Sequence, residues 1–203
     1  MVLKEKYLNV AAEISKSTAN GPGVRYAVWF QGCPFKCPGC FNKEFQPNIV
    51  KNLIKVEDMA KKIISTKGIE GVTYSGGEPM MQASGLYHLS KILKEKNLSI
   101  VCYTGFTFEE LKNNKSPYVK KLISCPDILI DGRYEKEKAA NLPWRGSANQ
   151  KVHFLTDRYK SYESFVNQNI SEVEFITSDK GFVMTGTWSD EFNKKLKKYL
   201  KFE

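Results

Sequence analysis

The sequence predicts an α/β fold in which parallel strands curl into a partial (β/α) barrel that carries a small C-terminal extension. Three observations point there. From Val24 to Leu155, runs rich in β-branched and aromatic residues alternate with segments of helical periodicity. The helical segments are long enough to cross over between parallel strands. The glycine-rich and polar motifs each fall just after a predicted strand, where parallel α/β folds gather their functional loops.

Taken in order, Tyr7 to Ile14 alternates as a strand does, and Asn20-Gly21-Pro22-Gly23 reads as a turn. Val24 to Phe30 is a strand that ends at a loop, Gly32 to Asn42, holding Cys33, Cys37 and Cys40. Val56, Met59, Ala60, Ile63 and Ile64 recur at helical spacing, and Gly68 supplies the stop, which places a helix at 56–67. Gly71 to Ser75 is a short strand broken by Gly76-Gly77 and followed by a helix from Ser84 to Lys96. Leu98 to Tyr103 is a strand, Phe108 to Asn113 and Tyr118 to Ser124 are helices, and Ile128 to Ile130 is a strand. Gln150 to Leu155 is the last strand of a first unit, residues 1–155. In residues 156–203, Val173 to Ile176 and Gly181 to Met184 pair as a hairpin around Ser178 to Gly181. Asp190 to Lys201 closes the chain as an amphipathic helix, with Phe192, Leu196 and Tyr199 as its apolar seam and Lys194, Lys195, Lys197 and Lys198 outside it.

Composition narrows the function. The 203 residues, 41% hydrophobic, suffice for a sizeable core. No stretch approaches the roughly 18 apolar residues of a membrane span, and Met1 to Ser17 holds no apolar run of signal-peptide length, so a cytoplasmic protein is expected. The formal charge of +9 sits wholly in residues 1–155, since residues 156–203 hold eight basic and eight acidic side chains. Its lysines are scattered without a stripe of interleaved aromatics, which points away from nucleic acid and fits plain solubility, with an acidic partner or nucleotide phosphates as the alternative. Cys102 and Cys125 are isolated in apolar segments and read as small buried hydrophobes. His88 and His153 have no ligand-spaced partner in the sequence and read as structural.

The clustered thiols are the strongest chemical signal. A structural zinc site closes with four ligands, usually as two pairs, and no second cysteine pair exists here. A 4Fe-4S cluster also usually takes four thiolates, so three would leave one iron with an open coordination position. Pro34, Pro38 and Gly39 suit a loop that folds tightly round a cluster.

Cys-x3-Cys-x2-Cys directly after an apolar strand resembles the signature of the radical S-adenosylmethionine enzymes. Gly32-Cys33 through Cys40-Phe41-Asn42, Ser75-Gly76-Gly77-Glu78-Pro79, Asp131-Gly132 and Arg145-Gly146-Ser147-x-Asn149-Gln150, in that order, resemble more narrowly the activating proteins of anaerobic ribonucleotide reductase. Many superfamily members carry an aromatic residue just before the third cysteine. This chain has Gly39 there, with Phe41 immediately after the cysteine.

The resemblance implies a 4Fe-4S cluster on Cys33, Cys37 and Cys40, whose fourth iron is chelated by the amino and carboxylate groups of S-adenosylmethionine. Reductive cleavage of that cofactor would release a 5'-deoxyadenosyl radical. It implies cofactor contacts from Phe41, Asn42, Ser75, Gly76, Gly77, Glu78, Thr104, Asp131 and Arg145, with the Gly76-Gly77-Glu78 stretch at the methionine amino group. Read without the resemblance, Gly76-Gly77-Glu78 and Asp131-Gly132 are turns, and Arg145 to Gln150 is a polar loop. The resemblance further implies a glycyl radical enzyme as partner, anaerobic ribonucleotide reductase first, and an electron donor such as a flavodoxin or ferredoxin. The alternative is a stand-alone radical enzyme acting on a small molecule or peptide, which the C-terminal extension favours. A non-enzymatic electron-transfer or zinc module fits the three-ligand count and the Gly-Gly-Glu stretch less well.

Overall fold

A computed structural model describes residues 6–178, 181–188 and 190–200. Its centre is a seven-stranded sheet. Strands β1 (Tyr7–Ser17), β2 (Arg25–Phe30) and β3 (Leu53–Lys55) precede helix α1 (Val56–Ser65). Then follow β4 (Gly71–Gly76), α2 (Ala83–Glu95), β5 (Ser99–Tyr103), α3 (Phe108–Lys112), α4 (Pro117–Leu122) and β6 (Ile128–Asp131). A hairpin of β7 (Ala139–Leu142) and β8 (Arg145–Ser147) leads to β9 (Lys151–Phe154). After the 3-10 turns Asp157–Tyr162 and Phe165–Asn167 come the hairpin strands β10 (Val173–Ser178) and β11 (Gly181–Gly186), then α5 (Asp190–Leu200).

The sheet order is β3-β1-β2-β4-β5-β6-β9. The four central strands β2, β4, β5 and β6 are parallel, joined through helices as expected. The flanking strands depart from the all-parallel expectation: β1 pairs antiparallel with both β2 and β3, and β9 pairs antiparallel with β6. Chain connectivity explains this. The β1–β2 link is the Asn20–Gly23 turn, too short for a crossover, and β6 reaches β9 through a 3-10 turn and a hairpin, without an α-helix. The sheet is open, with β3 at one end and β9 at the other.

The period-two alternation of each central strand separates two cores. Val28, Phe30, Val72, Tyr74, Ile100, Cys102 and Leu129 face α1, α2 and α4, where Met59, Ile63, Leu86, Leu89, Leu93 and Leu122 are buried with them. These helices therefore cover one face. Val101, Ile128 and Ile130 point the other way and pack with Trp144, Tyr159 and Val166. Residues 157–167 thus lie against the second face of the sheet. At its floor, Arg25 is fully buried, and burial pushes its guanidinium below the ordinary arginine value. The charge is tolerated because Thr73 Oγ1 (2.8 Å), Val72 O (2.7 Å), Pro22 O (3.0 Å) and Ser99 O (3.1 Å) accept from it.

The C-terminal hairpin forms as the sequence predicts, and its tip residues Asp179 and Lys180 lie outside the described residues. It hangs on polar side chains: the Glu174 carboxylate accepts from Ser17 Oγ (2.5 Å), and Asn20 Nδ2 donates to Thr185 Oγ1 (3.0 Å). In α5, Phe192 and Leu196 are partly buried, but Tyr199, expected on the same seam, is exposed. The side chain of Lys197 and residue Lys201 lie outside the described set. No helix among the described residues is long and apolar enough to cross a membrane.

Candidate active site

The cysteine loop is fixed at both ends by main-chain hydrogen bonds. Gly32 N donates to Phe45 O (2.8 Å) and Cys33 N to Gln46 O (3.0 Å), so residues 43–47 lie directly against its start. Within it, Gly32 and Gly39 take positive φ (98° and 75°), and Cys40 N reaches Cys37 O at 3.3 Å. Phe35 pins the middle: its ring meets Phe106 edge to face at 4.7 Å and lies 4.3 Å from the Arg133 guanidinium. A side chain on Gly105 would strike the same ring, Phe35 Cδ2 standing 2.5 Å from its Cβ position.

Cys33, Cys37 and Cys40 face one cavity of about 150 Å³ at the C-terminal ends of the parallel strands. Burial pushes the Cys33 thiol up to about 11, and negative charge at Glu78, Cys37 and Cys40 adds to the rise. Cys37 is raised by burial and then by Cys40, while Arg133 works the other way. Such thiols stay protonated until a metal cation binds the thiolate in place of the proton, so assembly on them releases protons to solvent. Among the described residues no three His, Cys, Asp or Glu side chains are already gathered as a metal site. The donor set nevertheless fits an iron–sulfur cluster, because three soft thiols from one loop share one cavity.

The glycine motif forms the opposite wall. Gly77 N donates to Phe30 O (2.8 Å) and Glu78 N to Gly32 O (2.9 Å), which ties β4 to the cysteine loop by main chain alone. Gly76 has φ +109°, and a Cβ on it would meet Phe30 O at 2.7 Å. Glu78 is fully buried, and its carboxylate accepts from Met80 N (2.9 Å), Thr104 Oγ1 (2.9 Å) and Gly105 N (2.7 Å). It braces the loops after β4 and β5 against each other. Burial pushes its carboxyl up to about 7 despite those three donors.

Glu78→Gln is therefore expected to be destabilising, because an amide must turn its own N–H groups toward at least one buried donor, at about 1–3 kcal/mol. A carboxyl raised from the ordinary range to about 7 contributes stability that is fully present below its unfolded value and lost as pH rises through 7. The cost of the substitution, measured by urea denaturation, should accordingly be larger near pH 5 than near pH 8. A pH-independent difference would mean that the carboxylate titrates in its ordinary range.

The other sequence candidates divide. Asn42, Ser75, Gly76, Gly77, Glu78 and Thr104 line the thiol cavity. Phe41 does not, but wedges edgewise between Tyr134 (5.5 Å), which lines the cavity, and Trp188 (5.0 Å). Asp131 lies in a neighbouring cavity beside α3 instead. Burial alone would raise its carboxyl, yet His153, Phe108 N (2.6 Å) and Lys151 N hold it below the usual range. His153 Nε2, 3.1 Å from Asp131 Oδ2, thus has a carboxylate neighbour that sequence spacing did not reveal, since β6–β9 pairing creates it. Arg145 turns away from the thiols and donates to Val166 O and to Gln150 O (3.3 Å). In its motif, Gln150 reaches the cavity, accepting from Gly146 N (2.9 Å) and donating to Gly132 O (3.0 Å).

A second chamber, about 290 Å³, opens beside the first and shares Asn42, Ser75, Tyr103 and Gln150 with it. Its walls carry five aromatic rings, Trp29 of β2, Phe45, Tyr103, Trp144, and Trp188 just after β11, beside the acids Glu13 and Glu44. Residues Val183 to Trp188 close the side away from the sheet. Tyr103, Arg133, Tyr134 and Trp188 are lining residues the sequence reading missed, although Arg133-Tyr134 directly follows Asp131-Gly132.

Residues 19–153 match the family described as a 4Fe-4S single cluster domain. The chain belongs to this radical S-adenosylmethionine family. Curated relatives agree along most of their own length. The anaerobic ribonucleoside-triphosphate reductase-activating protein of Enterobacteria phage T4 is 32% identical over 68% of this chain and 88% of its own. The protein of that name from Escherichia coli (strain K12) is 32% identical over 67% and 92%. The crystal structure of QueE from Escherichia coli aligns over 50% of this chain and 53% of its own, at 20% identity and a TM-score of 0.40.

In such an enzyme Cys33, Cys37 and Cys40, the thiols that share the cavity, would hold the cluster, and S-adenosylmethionine is the cosubstrate. When bound, the two supply one-electron cleavage of a sulfonium carbon–sulfur bond. The rest falls to the chain: the Phe35 stack and the Gly76-Gly77 junction hold the thiol loop, and Glu78 braces the wall.

Proposed function

We propose that this enzyme abstracts a hydrogen atom from a backbone glycine of a glycyl radical enzyme, with anaerobic ribonucleotide reductase as the first candidate. The geometric observation that carries the reading is the aromatic chamber opening directly beside the thiol cavity through Asn42, Ser75, Tyr103 and Gln150. A C–H bond presented there stands next to the place where the cofactor is cleaved. The partner is chosen from the names of the relatives, which match over most of their length. The electron comes from a flavodoxin or ferredoxin. Ser75, Gly76, Gly77 and Thr104 shape the cofactor pocket, with Asn42 at the junction of the two cavities.

A second reading, a stand-alone enzyme for a small molecule or peptide, is favoured by one observation: Val183 to Trp188 wall off the chamber. Isotope transfer separates the two. With the reductase labelled at glycine Cα by deuterium, the activating reading predicts deuterium in the 5'-deoxyadenosine formed. Unlabelled product at full turnover, with a small metabolite altered instead, would select the second reading.

A further inference from the structure

We propose that the strap from Lys43 to Lys55, which runs from the cysteine loop to the edge strand β3, is the docking surface for the protein that delivers the electron, and that this carrier is acidic. The proposal rests on the cluster-bearing loop and not on the identity of the radical's acceptor.

The strap is placed for the task. Through Gly32 N–Phe45 O and Cys33 N–Gln46 O it lies one layer of backbone from the first cysteine, with its other side in solvent. Its course is fixed by buried amides that donate to it or accept from it. Asn9 Nδ2 donates to Ile49 O (2.7 Å), Asn9 Oδ1 accepts from Lys51 N (2.9 Å), and Gln31 Nε2 donates to Pro47 O (2.6 Å). Gln82 in turn holds Asn9, its Oε1 accepting from Asn9 N (2.8 Å). A segment without regular structure over most of its length is thereby held rigid, as a docking face requires.

Its outward side has the makeup of a recognition surface. Ile49, Val50 and Leu53 are 56%, 51% and 45% exposed, three large apolar side chains within five residues, whereas other exposed apolar residues of the chain are scattered. Around them, residues 34–55 expose Lys36, Lys43, Lys51 and Lys55 against one acid, Glu44. Lysines on an edge strand also deter self-association. That purpose would not call for three bare apolar side chains among them. An apolar centre with a cationic rim selects a partner with an apolar patch ringed by carboxylates. The reaction needs one electron per cofactor cleaved: the reduced carrier is oxidised by one electron and the cluster reduced by one.

The test uses the full-length, cluster-loaded enzyme and reduced flavodoxin as the probe. Lys43→Glu/Lys51→Glu/Lys55→Glu is expected to weaken flavodoxin binding, read by anaerobic titration calorimetry, by about tenfold or more at low salt. It should slow flavodoxin-driven cofactor cleavage in proportion, while cleavage driven by dithionite stays at the wild-type rate. The wild-type flavodoxin rate should fall steeply as ionic strength rises from about 0.01 to 1 M, where the screening length drops from about 30 to 3 Å. That arm needs no variant, and a flat salt profile would overturn the proposal. So would unchanged flavodoxin binding by the triple variant, and loss of reductase binding in its place would assign the strap to the radical's acceptor. Failure of the reductase to gain a radical with dithionite as reductant would instead count against the proposed function and leave the flavodoxin binding result standing.

Discussion

Gly77→Ala is expected to lose the cluster together with the cofactor, rather than cofactor affinity alone. From sequence, a pair of glycines after a strand reads as room for a ligand, so an added Cβ would impair S-adenosylmethionine binding more than cluster assembly. The structure shifts that expectation. A Cβ on Gly77 would run into the carbonyl of Gly32 and come 2.8 Å from Phe45 O, both main-chain atoms that hold the start of the cysteine loop. Backbone cannot rotate aside as a side-chain tip can, so the loop must shift and Cys33 with it. Gly76→Ala meets the backbone of Phe30 and also needs a positive φ, so its effect runs in the same direction. Iron and sulfide content after anaerobic reconstitution is the measurement. Full iron with weakened cofactor affinity would restore the simpler reading.

Alanine at Cys33, Cys37 or Cys40 should abolish the cluster absorbance and all cleavage of S-adenosylmethionine, whereas Cys102→Ala and Cys125→Ala should keep both. The contrast follows from position. The first three thiols line the cavity at the strand ends. Cys102 is fully buried on the helix-covered face of β5, and Cys125 packs in the same core. Burial drives the Cys102 thiol far up, away from the thiolate a metal needs. Those two variants should lose only packing, about 1–2 kcal/mol for a small core truncation, read from thermal denaturation. Loss of cluster absorbance in either would show that the ligand set is wrong.

The elements legible in the sequence are those set by local pattern. The β2, β4, β5 and β6 strands and the α1 and α2 helices announce themselves by period, and the thiol loop by its spacing. Each motif after a central strand does reach the rim, because strand ends in a parallel sheet must gather there. What stayed hidden depends on pairing between distant segments. Three-residue β3 is too short to carry a period, and it is recognisable only by its pairing with β1. Glu78 reads as a surface carboxylate until Thr104 and Gly105, 26 and 27 residues away, are seen to donate to it. Asp131 and Arg145 carry the right chemistry for cofactor recognition, but β9 and the segment at Val166 claim their side chains. The hairpin is predictable as a hairpin. Its seat across the chamber depends on the Ser17–Glu174 and Asn20–Thr185 contacts, which bridge more than 150 residues.

Passage of the radical to a protein backbone leaves a signature in electron paramagnetic resonance. The reduced, cluster-loaded enzyme is mixed with S-adenosylmethionine and anaerobic ribonucleotide reductase, and the spectrum is recorded after the mixture is frozen. The expected spectrum is a doublet on the reductase from coupling to a single Cα hydrogen, absent when the target glycine is replaced by alanine. Cofactor cleavage at the same rate with and without the reductase, and no doublet at any ratio of the two proteins, would contradict it.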